Sequence, residues 1–302
     1  MMKSACFAAA GGTIGAVMLA RYLRVKEVPS EPKLSVMTFN VLARPYTKYN
    51  QKFHRVPGDF AVEDVMQTRA RYTLAAEEIT SKGNDIVFLQ ECEAAFFDSA
   101  WNHAAPKLLD TFHVFACRKK KDNVEQPGTA VLVQKAGRAT ATATQPICIG
   151  YSPDGQDLSK VATIIPMQFE GKAFEAVSTH FTWDGDAASR EHHAQLVGEG
   201  LKNAKSVVFG GDFNSQPGVS LEQLESKTFL GGLRRAALDG GDATGLYKDF
   251  SRTEYIDHIY ASRDWSPLSS KALRKPSSPW DESGKVTTAS DHVPVVVELK
   301  LT

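Results

Sequence analysis

Short apolar runs that end on an acid, an amide or a histidine recur along residues 34–300. They include DIVFLQE (85–91), AFEAVSTH (173–180), SVVFGGDFN (206–214), YIDHIYA (255–261) and SDHVPVVVEL (290–299). Runs of this length, rich in Val, Ile and Phe, read as strands rather than helices. A strand that closes on a carboxylate or an imidazole delivers that group to the rim of a sheet. Several such strands side by side build a polar rim over an apolar body. That pattern excludes an all-helical chain.

Helical periodicity fills the spaces between these runs. Tyr72, Ala75, Ala76 and Ile79 share one face over residues 61–81, and Gly83 follows as a stop signal. Residues 96–109 form a second helix candidate, although Pro106 weakens it. Residues 187–201 and 221–230 read as further helices. Arg118–Asp122 reads as a charged loop. VATIIPMQF (161–169) and AFEAVST (173–179) flank Gly171-Lys172, a hairpin signal. In the first strand, Leu34, Val36, Thr38 and Asn40 face one way, and Ser35, Met37 and Phe39 the other. Strands alternating with helices, with hairpins mixed in, indicate mixed α/β architecture. Residues 34–135 and 160–299 would each supply one sheet.

The chain has 302 residues and no net charge at neutral pH. A nonspecific nucleic-acid binder usually carries a basic excess, so a long polyanion is neither demanded nor excluded. The one dense basic run is Arg118–Lys121, either a solvated loop or a phosphate-backbone contact. Cys6, Cys92, Cys117 and Cys148 fit neither a zinc site nor a disulfide framework, so buried reduced thiols are expected. Residues 5–20 are an uncharged run followed by Arg21, Arg24 and Lys26. The run is shorter than the about 20 residues of a full span. A cleaved signal peptide, a mitochondrial presequence and a signal anchor compete. The anchor fits best, with residues 1–33 as anchor and linker and residues 34–302 as a cytosolic, monomeric body.

The chemistry-bearing candidates each have a plain alternative. Glu91 ends a strand after four apolar residues and is placed for a hard cation such as Mg2+, or it is a solvated strand end. In Gly210-Gly211-Asp212-Phe213-Asn214, Asp212 can accept a proton from water and Asn214 can orient that water, or the segment is a turn. Ser290-Asp291-His292 offers a metal or phosphate contact beside an acid–base group, or a capped loop. Asp257 can hold the far nitrogen of His292. His180 can stabilise charge on a phosphoryl group. Asn40 can bind a phosphate oxygen or the metal region. Trp183 can stack on a base or pack on the body. His54, His103, His113, His192, His193 and His258 read as structural or exposed.

In order along the chain, SVMTFNVLA, FLQECE, STHFTWD, GGDFNSQP, YIDHIYAS and SDHVPVVVEL resemble the endonuclease/exonuclease/phosphatase superfamily. The resemblance spans about residues 34–300. Asn-Val-Leu-Ala at 40–43 and THFTWD are most similar to the deadenylase, nocturnin, Angel and 2′-phosphodiesterase branch, although His258 stands where that branch usually has Tyr. The resemblance implies a four-layer α/β sandwich of two mixed β-sheets flanked by helices. It also implies phosphoester hydrolysis with Mg2+, or Mn2+ as a substitute. Glu91, with Asn40 and Asp291, would hold the metal. His180, Asp212, Asn214, Asp257 and His292 would be catalytic, and Asn40 and Trp183 would bind substrate. RNA or a nucleotide is the implied substrate, with 3′-end RNA trimming foremost. A sphingomyelinase-like lipid phosphodiesterase, a small-molecule phosphatase and an inactive scaffold are the alternatives.

Overall fold

Period-two alternation in β1 (Lys33–Asn40) sets the layering of the molecule. Leu34 and Val36 enter one apolar cluster, while Met37 and Phe39 enter another on the opposite face. The computed structural model describes residues 31–47, 63–121, 124–151, 160–182, 187–238, 243–246, 253–281 and 283–302. Lys33–Thr302 forms one compact unit. Residues 5–20, which carry the anchor expectation, lie outside the described residues. Among the described residues, no helix is long and apolar enough to cross a membrane.

The first sheet joins β1 to β2 (Ile86–Cys92), β3 (Phe112–Lys121) and β4 (Val124–Gln134). The second contains β5 (Ala139–Ala141), β6 (Ile147–Tyr151), β7 (Lys160–Phe169), β8 (Lys172–His180) and β9 (Val207–Asp212). β10 (Arg234–Arg235) also belongs to it. β11 (Gly245–Leu246) and β12 (Thr253–Glu254) form a small separate ladder. β13 (Asp257–Ala261) completes the second sheet. β14 (Trp265–Ala272) and β15 (Val295–Leu301) return to the first, beside β1. The two halves of the chain therefore do not map cleanly onto two sheets. Both sheets are mixed: β1 runs parallel to β2, β8 runs parallel to β9, and the other pairings are antiparallel.

The inter-sheet core holds Val36, Ile86, Phe88, Val131, Ile165, Ala176, Val208, Ile259 and Val297. Outside the first sheet, α1 (Val65–Lys82) and α2 (Ala105–Thr111) cover Met37, Phe39, Val87 and Leu89. Outside the second, α3 (Ala187–Gly200) and α4 (Val219–Lys227) cover Val177, Phe209 and Phe213. Helix, sheet, sheet and helix make the four layers.

Local chemistry explains where elements start and stop. Asp64 and Gln67 form a reciprocal capping box that begins α1, and Gly83 ends it in the left-handed conformation at φ 66°. The single helix expected over 96–109 is broken. Phe96 sits in a 3-10 turn at 94–97, and Pro106 lies in the first turn of α2, where its missing N–H costs no hydrogen bond. The hairpin turn falls at Glu170-Gly171, both with positive φ, one residue before the pair expected. Arg118–Lys121 is strand rather than loop, because β3 continues to pair with β4.

The expectation of reduced thiols is corrected as well. Cys117 on β3 and Cys148 on β6 form a disulfide across the two sheets, with a Cα–Cα distance of 5.6 Å. Their separation of 31 residues signals nothing by itself. Sheet packing brings them together. Cys92 is a buried free thiol, as expected.

Candidate active site

The alternation that buries Val36 and Val208 also aims polar residues into the inter-sheet cleft. Asn40 shares the face of Leu34 and Val36. His180 shares that of Phe174 and Ala176, Asp212 that of Val208, and Asp257 that of Ile259 and Ala261. All four sit at strand ends. The register sets His180 beside Asp212 across the parallel pair, and Asp257 beside Asp212 across the antiparallel pair. Gly211 keeps β9 close to β8, since a Cβ there would lie 2.0 Å from the Thr179 carbonyl oxygen.

Glu91 breaks the alternation. By parity it belongs with Val87 and Leu89 on the helix-covered face. A register shift between Gln90 and Cys92 leaves Glu91 in a bulge at φ 55°. A left-handed backbone is costly for a residue with a side chain. Its effect here is to turn the carboxylate into the cleft, where Asn40 Nδ2 donates to Oε1 at 3.2 Å and the Ala43 N–H donates to Oε2 at 2.9 Å.

Asn40 Nδ2 also donates to Asp212 Oδ2 at 3.0 Å, so one carboxamide joins the two sheets. His180 Nε2 lies 3.4 Å from the same oxygen and 2.9 Å from Lys160 Nζ. His292 Nδ1 lies 2.8 Å from Asp257 Oδ2, and its Nε2 lies 3.8 Å from Asp212 Oδ2. The Asn214 N–H donates to Asp212 Oδ1 at 2.9 Å, and its side chain donates to the Phe181 carbonyl. The Ser290 hydroxyl donates to the Asn40 carbonyl oxygen at 2.8 Å, which draws the Asp291-His292 segment against β1. The structure thus brings Asn40, Glu91, His180, Asp212, Asn214, Asp257 and His292 into one hydrogen-bonded network, with Asp291 alongside. Trp183 lies outside the described residues.

Burial drives the electrostatics. It pushes the Glu91 carboxyl up; Lys160 opposes this and Asp291 adds to it. It lifts Asp212 to about 7, against the pull of His292 and with a further push from Asp257. Burial alone would lower His292, but Asp257, Asp212 and Asp291 hold it well above its ordinary value, as a cation.

Three supporting residues escaped sequence reading. Lys160 opens β7 in no recognisable motif, and only the β7–β8 ladder carries it to His180. Thr244 accepts at Oγ1 from the Ile256 and Asp257 N–H groups, at 3.0 Å each, and so sets the Asp257 backbone. Arg71 is fully buried in α1, ion-paired to Glu63, and donates to the carbonyls of Val41 and Ala289. A cation on the apolar face of a helix was the available signal for Arg71. Lys160 and Thr244 offered none. Of the histidines read as structural or exposed, His193 and His258 are fully buried.

The donor set fits a divalent ion. Asp291 and Glu91 are close enough to raise the Glu91 carboxyl, and facing carboxylates are what a hard cation relieves. One donor atom from each of Asp212, Asp257 and His292 also lies within 4.8 Å of the others. Asp257 Oδ1 is buried without a hydrogen-bond partner. A cleft lined by Tyr46, Glu91, Gly128, Thr129, Lys160 and His180 opens over the network.

Comparison with solved structures finds this architecture in several proteins. The human Nocturnin catalytic domain with bound sulfate is 18% identical over 90% of this chain and 94% of that one, with a TM-score of 0.63. ANGEL2, a 2′,3′-cyclic phosphatase in complex with adenosine-2′,3′-vanadate, is 15% identical over 90% and 97%, at 0.67. D. rerio TDP2 complexed with single strand DNA product is 15% identical over 89% and 100%, at 0.60. A search of curated protein sequences gave no match. Residues 37–292, which run from within the first strand to His292 and include Asn40, Glu91, His180, Asp212, Asn214, Asp257 and Asp291, match the profile of the Endonuclease/Exonuclease/phosphatase family. The chain belongs to that family of phosphoester hydrolases.

Proposed function

We propose that this protein is a divalent-metal-dependent phosphodiesterase acting on nucleic-acid or nucleotide esters, with trimming of RNA from the 3′ end as its foremost activity. One observation carries the reading: residues from six separate segments meet in one cleft, joined by Asn40 bridging Glu91 to Asp212. Glu91 would hold the ion with Asp291, carboxylate oxygens suited to Mg2+ or Mn2+, while Asn40, expected as a further ligand, faces Glu91 and Asp212 with its Nδ2 and would position them instead. When bound, the ion would polarise the scissile phosphate.

The remaining chemistry belongs to the side chains. Asp212, lifted to about 7, is poised to take a proton from an attacking water near neutral pH. Asn214 donates its N–H to Asp212 and fixes the carboxylate's orientation. His292 is cationic and held by Asp257, so it serves as a fixed positive donor for the charge that builds on the phosphoryl oxygens. His180 contacts Asp212 Oδ2 from the β8 side, and Lys160, against His180, adds a positive charge that reaches Asp212. Among proteins of this fold, ANGEL2 holds an adenosine-2′,3′-vanadate and TDP2 a single-stranded DNA product, which supports a nucleotide ester.

The test is Glu91→Gln, assayed on oligo(A), mixed-sequence RNA, DNA, sphingomyelin and nucleotide monophosphates with Mg2+. Turnover should fall by about 100-fold or more, the scale of losing one charged transition-state contact, while the circular dichroism spectrum stays unchanged. A folded variant with full activity removes the metal assignment. Cleavage of sphingomyelin alone removes the nucleotide reading.

A further inference from the structure

We infer that Arg274 is a positioning residue for the reaction, holding the backbone of Ser290-Asp291-His292 so that Asp291 reaches the ion and His292 the phosphoryl group. The inference rests on the phosphodiesterase reading and adds to it a residue that acts through others.

The segment that carries Asp291 and His292 lies outside the main ladders. β15 begins at Val295, so residues 289–292 precede the strand that orders them. Buried carbonyls without a ladder need donors from elsewhere. Four consecutive carbonyls find them here. Arg71 Nη1 donates to the Ala289 carbonyl at 3.0 Å, and the Leu246 N–H to that of Asp291 at 3.3 Å. Arg274 Nη2 donates to the carbonyls of Ser290 and His292, at 3.4 and 3.0 Å. One guanidinium nitrogen therefore spans the two carbonyls that flank Asp291 and fixes the backbone on both sides of it. The Thr288 hydroxyl adds a second donor to the Ser290 carbonyl at 3.2 Å.

The neighbouring strands deliver Arg274 to this place. Ala272 closes β14 opposite Val295, and the Leu273 N–H donates to the Pro294 carbonyl at 3.0 Å. Arg274 then meets α1, where its Nε lies 3.7 Å from Glu78 Oε1. Stability alone does not account for the residue. Its Nη1 is buried without a hydrogen-bond partner, which costs free energy. Burial also holds the guanidinium below its ordinary value, against Glu78 and Asp291, which raise it. The charge has local work to do. Asp291 pushes the Glu91 carboxyl up, so the two carboxylates repel one another. A guanidinium bonded to the Asp291 backbone's neighbours attracts Asp291 and offsets that repulsion.

The test is R274M, which keeps the apolar stem and removes the guanidinium, with R274K as the conservative partner. The full chain is measured in three ways: amide hydrogen exchange, Mn2+ binding by isothermal titration calorimetry, and steady-state kinetics on the best substrate. In R274M, exchange over residues 290–293 should quicken by about tenfold while that of β9 stays as in the wild type. The Kd for Mn2+ should rise about tenfold, and kcat should fall about tenfold with the substrate KM nearly unchanged, the scale of losing a group that orients a metal ligand. R274K, which keeps a charged donor, should recover part of both. Unchanged exchange overturns the inference. Faster exchange with wild-type Mn2+ affinity and kcat also overturns it, since Arg274 is then structural only. If R274M does not fold, R274K and E78Q carry the comparison: each should show smaller losses in all three measurements, and wild-type values in both sink the inference. A wild type that binds Mn2+ and turns over leaves the phosphodiesterase reading standing whatever R274M does. If the wild type binds no Mn2+ and cleaves nothing, that reading has failed, and exchange over residues 290–293 judges the hold of Arg274 by itself.

Discussion

Glu91 and Asp257 show how much a single backbone or side-chain setting decides in this cleft. Glu91 would face the helices if β2 ran regularly, and the bulge at φ 55° turns it inward. Asp257 is buried, its backbone held by Thr244 and one oxygen held against His292. Changing Asp257 to Asn keeps the size but replaces the charge that keeps His292 cationic. The D257N variant should therefore lose about 10- to 100-fold in kcat with KM nearly unchanged, measured by steady-state kinetics on the best substrate. The identities of these residues were legible from the sequence, since both stand in motifs at strand ends. The inward turn of Glu91 was not, because alternation alone assigns it to the wrong face. Lys160 was illegible for a different reason: twenty residues separate it from His180, and only antiparallel pairing closes that distance.

Elements report a similar division. Helix α1 was readable because its cap, its apolar stripe and its terminal glycine all lie within one local stretch. Strand β14 was missed because Ser, Pro and Lys dominate it. It exists because β15 offers it a partner. The disulfide is an element-scale device that joins β3 to β6. It closes a loop of 31 residues, which constrains the unfolded chain by about 3–4 kcal/mol. Cys148→Ser should therefore lower the melting temperature by roughly 6–12 °C, read by differential scanning calorimetry. Reducing the wild type with dithiothreitol should reproduce the shift. Equal melting temperatures for oxidised and reduced protein would remove the staple from the account of stability.

At the scale of the molecule, two buried imidazoles weaken the fold in acid. His193 packs between Tyr151 and Phe181, with both ring nitrogens buried and lacking hydrogen-bond partners. His258 contacts the Ser215 carbonyl and packs against Phe213 and Tyr255. Burial lowers each to about 3. In the unfolded chain both take up protons near pH 6.5. Between pH about 6.5 and about 3 the unfolded state therefore binds more protons than the folded one, and stability falls as pH falls. Each unit of displacement corresponds to about 1.4 kcal/mol at most. The raised carboxyls of Glu91 and Asp212 act in the opposite sense over the same range, so the contribution of a single ring is read by difference: in urea unfolding at pH 7, 6, 5 and 4, the midpoint of H193F should gain on that of the wild type as pH falls. A difference between the two midpoints that is constant over this range would contradict the burial of His193 as a neutral ring.

The sequence by itself determined the strand-and-helix alternation, the rim of acids and histidines, and which side chains could perform phosphoester chemistry. These follow from local patterning, since a period of two or 3.6 and a residue's functional group need no partner to be read. Tertiary structure alone decided which sheet received the last strands, which way Glu91 points, that Cys117 meets Cys148, and that Lys160 stands beside His180. Each of these depends on two stretches of chain meeting across a sheet or between sheets. The free energy of such a meeting is set by packing and register rather than by any one segment.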